Sequence, residues 1–153
     1  MSERTLIVVK PDGVQRGLAG EIISRFERKG FKLAGSKFMR VSEELARKHY
    51  QVHEGKYFYD RLVRYICSGP VLAMVWEAEG IIAMSRKMMG ATFGYDAEPG
   101  TIRGDYSCSK GNNLVHGSDS VESAEFEIGL WFDEGELVSW EPANEHWLRG
   151  EKD

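Results

Sequence analysis

Two short apolar runs, Thr5–Val9 (TLIVV) and Val71–Trp76 (VLAMVW), constrain this chain more than any other feature of it. Both are continuous rather than alternating, and the first is rich in β-branched residues, so both read as strands buried on two faces. A sheet of that kind needs helices to cover it, and the intervening stretches supply them. Ile22, Ile23 and Phe26 share one face of a helix over Gly20–Lys29, which Gly30 stops. Phe31–Val41 reads as a second strand, Ser42-Glu43-Glu44 caps a helix bearing Leu45 and Ala46, and another short helix fits Tyr59–Ile66. Gly69-Pro70 breaks the chain before VLAMVW, and Gly80–Met89 reads as a helix closed by Gly90.

The segment 91–112, with four glycines, one proline and little periodicity, reads as a long loop with a functional or interface role. Leu114-Val115 is the last piece of strand. Val121, Ala124, Ile128 and Trp131 recur at helical spacing after it, and Trp140 and Trp147 are the expected anchors of the tail. Four strands interleaved with helices imply an α/β (α+β sandwich) fold of the split βαβ kind, in one domain over residues 1–153.

Twenty Lys and Arg against 24 Asp and Glu give a net charge of −4, which argues against non-specific binding to nucleic acid or membranes. No apolar run reaches bilayer length, and Met1-Ser2-Glu3-Arg4 has no secretory pattern, so a cytoplasmic location is expected. Cys67 and Cys108 form no CxxC, and free thiols and a pair both stay open.

The chemistry concentrates in Asn113–Ser120 (NLVHGSDS). His116 stands where a strand ends, Gly117 permits a sharp turn, and Ser118, Asp119 and Ser120 are successive N-cap candidates. Asp119 and Glu122 have capping-box spacing. Free N–H groups at such a helix start attract anions, and an imidazole there can attack a phosphoryl group and carry it covalently. A nucleophilic imidazole needs its other nitrogen held, and Glu127 in the following helix offers the carboxylate. The competing reading is a core histidine satisfied by a backbone carbonyl.

There is no G-x-x-x-x-G-K-[ST], no pair of glycines one residue apart, and neither HRD nor DFG. Any nucleotide phosphates must therefore be held by side chains, with Lys10, Arg86, Thr92 and Arg103 as candidates. Lys10 follows a buried strand and precedes the turn signature Pro11-Asp12-Gly13, which points it into a strand-end crevice. His49 and His53 have i, i+4 metal-ligand spacing but no third ligand at a standard distance, so a polar helix face is the preferred reading and no protein metal site is expected.

Lys10–Gly17 (KPDGVQRG), Ser68-Gly69-Pro70, Pro99–Asp105 (PGTIRGD) and Asn113–Ser120, in one collinear register from about Thr5 to Trp147, closely resemble the nucleoside diphosphate kinase family. The resemblance implies a ferredoxin-like βαββαβ core with a four-stranded antiparallel sheet covered by helices. It also implies a homo-oligomer, a hexamer or a tetramer built from dimers. The implied activity is ping-pong transfer of the γ-phosphoryl of a nucleoside triphosphate to His116 Nδ1 and then to a nucleoside diphosphate, with Mg²⁺ bound with the nucleotide. By position, Glu127 and Ser118 match the shell supporting His116. Lys10, Tyr50, Arg86, Thr92, Arg103 and Asn113 match residues around phosphates and ribose. Phe58 matches the aromatic that stacks on the base, with Leu62 beside it. Stacking on one ring implies low base selectivity. Tyr57, Asp60, Phe93, Gly94 and Lys110 depart from the common pattern, which bears on affinity and oligomer contacts. A histidine-dependent phosphatase or mutase and a non-enzymatic RNA-binding sheet are the competing functional classes. The first would pass phosphate to water, and the second would need a basic sheet face with exposed aromatics.

Overall fold

The computed structural model describes residues 2–151; Met1, Lys152 and Asp153, the ends of the expected 1–153 domain, lie outside the described residues. Strand β1 (Ser2–Val9) is antiparallel to β3 (Pro70–Glu79) on one side and to β4 (Val115–Gly117) on the other, while β2 (Lys32–Arg40) pairs with β3. The order β2-β3-β1-β4 is that of a ferredoxin-like split βαβ sheet.

The apolar runs in β1 and β3 are continuous because both faces of the sheet are covered. Ile7, Val9, Met74 and Trp76 pack with Ile22 and Phe26 of α2 (Ala19–Lys29) and with Ile81 and Met89 of α5 (Ile81–Met89). Leu6, Val8, Ala73 and Val75 point the other way. They meet Ala46 of α3 (Glu43–His49), Val63 and Ile66 of α4 (Tyr59–Ile66), and Trp131 at the end of α7 (Val121–Trp131). Each of the buried Val, Leu, Ile, Phe and Met side chains is worth about 1.5–3 kcal/mol. Gly30 ends α2 with φ +98°, and the Ser42 hydroxyl accepts the Leu45 N–H at the start of α3.

Several expectations are corrected. Pro11 does not open a turn but sits in the first turn of a short helix, α1 (Pro11–Gln15), where its missing N–H costs nothing. The segment 91–112 contains a helix, α6 (Ile102–Tyr106), capped by the Thr101 hydroxyl. Asp105 accepts the Gly100 N–H locally, and contacts distant in sequence hold the helix: Asp105 pairs with Arg25 at 2.6 Å, and Arg16 donates to the Tyr106 carbonyl at 2.6 Å. Ser120, not Asp119, caps α7, so the Asp119–Glu122 box does not form. Gly117 is a strand residue rather than a turn; a Cβ there would lie 2.5 Å from Met89 Cε. In the tail Trp140 is anchored through its indole N–H to the Leu33 carbonyl at 2.8 Å, whereas Trp147 is 80% exposed with its ring against the neighbouring His146. Cys67 and Cys108 are free thiols.

Candidate active site

The site is built on the short stretch that leads into β4. Leu114 is fully buried and adopts φ +73°, the left-handed region that costs a non-glycine residue roughly 1–2 kcal/mol. Two hydrogen bonds fix it: its N–H donates to Asp12 Oδ2 at 3.1 Å, and its carbonyl accepts the Lys10 N–H at 2.8 Å. Asp12 is itself held by the Tyr65 hydroxyl. Gly13 must be glycine, since a Cβ there would meet the Leu114 oxygen at 2.9 Å and Val9 Cγ1 at 2.8 Å. The loop before β4 is thus clamped by the end of β1 and the start of α1, and His116 follows in register with Val8.

Cationic side chains from three other elements converge on the same stretch. Lys10, 7% exposed, donates through Nζ to Asn113 Oδ1 at 2.8 Å. Arg103 of α6, 3% exposed, donates to the carbonyls of Asn113 (3.2 Å), Gly90 (3.1 Å) and Val115 (2.7 Å). Arg86 of α5 donates to the Gly117 carbonyl at 3.2 Å. Arg103 therefore braces the backbone as well as carrying charge, and burial with nearby Arg86 lowers its pKa to about 10. Asn113 Nδ2 donates to the Thr92 carbonyl at 3.0 Å, which brings Thr92 to the cluster through its backbone.

His116 Nε2 lies 2.8 Å from Glu127 Oε1, and the Ser118 hydroxyl donates to the same oxygen at 2.7 Å. Ser118 is pinned in turn, accepting the Leu6 N–H at 3.2 Å. Burial pushes the Glu127 carboxyl up, but the hydrogen bonds from His116 and Ser118 hold it below the usual carboxylate range. An ionised carboxylate only accepts, so Nε2 carries the ring proton and Nδ1 keeps the lone pair of the neutral imidazole.

Tyr50 is buried, its hydroxyl has no hydrogen-bond partner among the described residues, and burial raises its pKa. Phe58 connects to His116 through a run of ring contacts: Phe58–His53 at 5.2 Å, His53–Tyr50 at 6.4 Å, Tyr50–His49 at 4.7 Å and His49–His116 at 4.6 Å. Leu62 packs on the α3/α4 side of the sheet.

The family model described as nucleoside diphosphate kinase matches residues 3–137. A nucleoside diphosphate kinase of Crocosphaera subtropica is 60% identical over 146 residues, covering 95% of this chain and 98% of its own. That of Trichodesmium erythraeum gives the same identity and coverage, 60%, 95% and 98%. The chain belongs to the nucleoside diphosphate kinase family. Among solved structures, a halophilic nucleoside diphosphate kinase from Halobacterium salinarum in complex with CDP superimposes with a TM-score of 0.96 at 53% identity, over 98% of this chain and 100% of that one.

For this nucleoside diphosphate kinase family member, sequence reasoning passed over Asp12, read as a turn residue, and His49, read with His53 as a polar face. Neither has a local signature, because each acts through a residue far off in sequence. Asp12 reaches Leu114, and His49 lies against His116 and Trp131.

Lys10 gives a pH-dependent consequence. Burial, and secondarily Arg103, lowers its pKa from 10.5 to about 7, with Asp12 pulling the other way. Below pH 7 the folded and unfolded chains both hold this proton, and the fold bears the full cost of the buried ammonium. Between about 7 and 10.5 only the unfolded chain keeps it, so this group makes stability rise with pH across that window. Lys10→Met is expected to flatten that rise in thermal melts.

Proposed function

We propose that this chain transfers the γ-phosphoryl of a nucleoside triphosphate to a nucleoside diphosphate by a ping-pong route through phosphohistidine on His116. In the first half, the Nδ1 lone pair attacks the γ-phosphorus, the bond to the β–γ bridging oxygen breaks, and a nucleoside diphosphate leaves. In the second half, a terminal β-phosphate oxygen of another diphosphate attacks that phosphorus, and the P–N bond breaks with its electron pair returning to Nδ1. The observation that carries this reading is the His116 Nε2–Glu127 hydrogen bond at 2.8 Å, reinforced by Ser118, which leaves Nδ1 as the nucleophilic nitrogen.

Lys10, Arg86 and Arg103 neutralise the equatorial phosphoryl oxygens in this reading, and Tyr50, Thr92 and Asn113 line the phosphate and ribose path. Phe58 stacks on the base with Leu62 beside it, which favours low selectivity among bases. Nucleotide binding is also what the CDP complex of the Halobacterium relative supports. Mg²⁺ comes with the nucleotide: His49, His116 and Glu127 are the only His/Cys/Asp/Glu cluster of metal-binding size among the described residues, and its two imidazoles do not suit an ion that prefers oxygen ligands. In this reading residues 1–153 form one domain of a cytoplasmic homo-oligomer, a hexamer or a tetramer of dimers. Edge strand β2, with Phe38 65% exposed, favours a partner copy along that edge. No helix of the described residues is long and apolar enough to cross a membrane, and the net charge of −4 does not favour a specific nucleic-acid partner.

The test is incubation with γ-labelled nucleoside triphosphate and Mg²⁺. An acid-labile, base-stable phosphoprotein is expected, discharged at similar rates by purine and pyrimidine diphosphates. Label passing only to water would instead mark a phosphatase. A second expected outcome concerns Lys10: a polyphosphate beside its ammonium raises the depressed pKa, so diphosphate binding near about pH 7.5 takes up a proton. Calorimetry in two buffers of different ionisation enthalpy measures that uptake, and identical heats would remove Lys10 from the phosphate path.

A further inference from the structure

His49 ends α3 and is 8% exposed, with its ring 4.6 Å from that of His116 and nearly perpendicular to it, at 78°. On its other side the Trp131 indole N–H donates to His49 Nδ1 at 3.1 Å. An indole nitrogen can only donate, so Nδ1 must present a lone pair and the proton of the neutral ring must sit on Nε2. Burial first, then the charges of His116, Lys10 and His53, lowers the His49 pKa to about 3 against the pull of Glu127, so the ring stays neutral.

One nitrogen from each of the two histidines and a Glu127 oxygen lie within 4.8 Å of one another, the donor set of a catalytic zinc site. Trp131 weighs against that use. A metal on Nε2 would drive the proton to Nδ1, where two N–H groups would face each other and a buried indole donor would lose its acceptor. The arrangement favours a ring of fixed tautomer over a metal ligand.

We infer that His49 is a positioning residue for phosphoryl transfer: Trp131 fixes its proton on Nε2, and its ring buttresses that of His116 so that the nucleophile keeps one orientation. The Glu127 hydrogen bond alone fixes one point of the His116 ring and leaves it able to tilt about that point. The perpendicular His49 ring removes that freedom, and small misplacements of a reacting atom are costly. This inference rests on His116 as the phosphorylated residue, and His49 touches no nucleotide in it.

The test begins with the unmodified protein. ¹⁵N spectra of its imidazoles should place the His49 proton on Nε2 and hold it there from about pH 5 to 8. His49→Phe keeps a neutral ring, and Trp131→Phe removes the indole donor together with part of a buried ring. Each is expected to lower kcat by about 10- to 100-fold, leave KM for the diphosphate within about twofold, and still yield phosphohistidine at full stoichiometry. Trp131→Phe should also let the His49 proton spread over both nitrogens. A proton on Nδ1 in the wild type overturns the inference, and that spectrum decides even if the variants do not fold. So does an unchanged kcat in folded His49→Phe, or a rise in KM without loss of kcat. Failure of the wild type to form phosphohistidine would instead overturn the nucleophile assignment, a separate result.

Discussion

Replacing His116 with alanine is expected to abolish the phosphoprotein and to lower transfer between nucleotides by at least about 10⁴-fold. The loss is large because no neighbouring group can take over: His49 has one nitrogen committed to Trp131 and the other protonated, and the Ser118 hydroxyl is spent on Glu127. The fold should tolerate the change. The His116 side chain is 19% exposed, and Glu127 keeps its Ser118 donor, so a cost of about 1 kcal/mol is expected. Rapid-quench labelling and thermal melts of the same preparation check both halves. Label retained in the alanine variant would move the nucleophile elsewhere.

Arg103→Ala is expected to damage activity and stability together, and the second effect distinguishes it from Arg86→Ala. Arg103 is almost fully buried and satisfies the carbonyls of Gly90, Asn113 and Val115, which ties the end of α5 to the stretch that leads into β4. Truncation removes the guanidinium donors from these carbonyls, of which Asn113 keeps the Val115 N–H, and opens a cavity, so a loss of about 3–5 kcal/mol is expected. Arg86 is half-buried and bonds to one carbonyl, so its alanine variant should lose transfer while melting within about 1 kcal/mol of the wild type. Arg103→Lys should not rescue, because a single ammonium cannot reach three carbonyls set at the angles of a planar fork. Denaturant unfolding of the three variants beside their transfer rates tests this, and a wild-type midpoint for Arg103→Ala would refute the bracing role.

What could be read from the residues beforehand depended on how local its cause was. The buried runs in β1 and β3, the glycine stop of α2 and the serine cap of α3 are set by neighbours a few residues away, and all appear as expected. Helix α6 escaped because five residues are too few to show a period; its stability comes from Arg25 and Arg16, some 80 to 90 residues earlier. The choice of Ser120 over Asp119 as a cap turned on a single backbone position among three chemically suitable neighbours. His49 and His53 were read as one face because of their spacing. The helix stops at His49 and the chain enters a short 3-10 turn, so His53 goes with Phe58 and His49 with His116. The left-handed Leu114 could not be foreseen, since a leucine gives no sign of that backbone and its cause lies about a hundred positions upstream in Asp12.

Strand β4 is three residues long and borders β1 alone, joining Val8 to a residue 108 positions later. On the ribosome, then, a long stretch of polypeptide must emerge before that flank of β1 finds its cover, and until it does a hydrophobic border stands open to other nascent chains. His116, the proposed nucleophile, lies in that late strand and so meets Val8 only after more than a hundred residues have been made. Premature termination anywhere before β4 would therefore yield an adhesive fragment rather than a weakened catalyst.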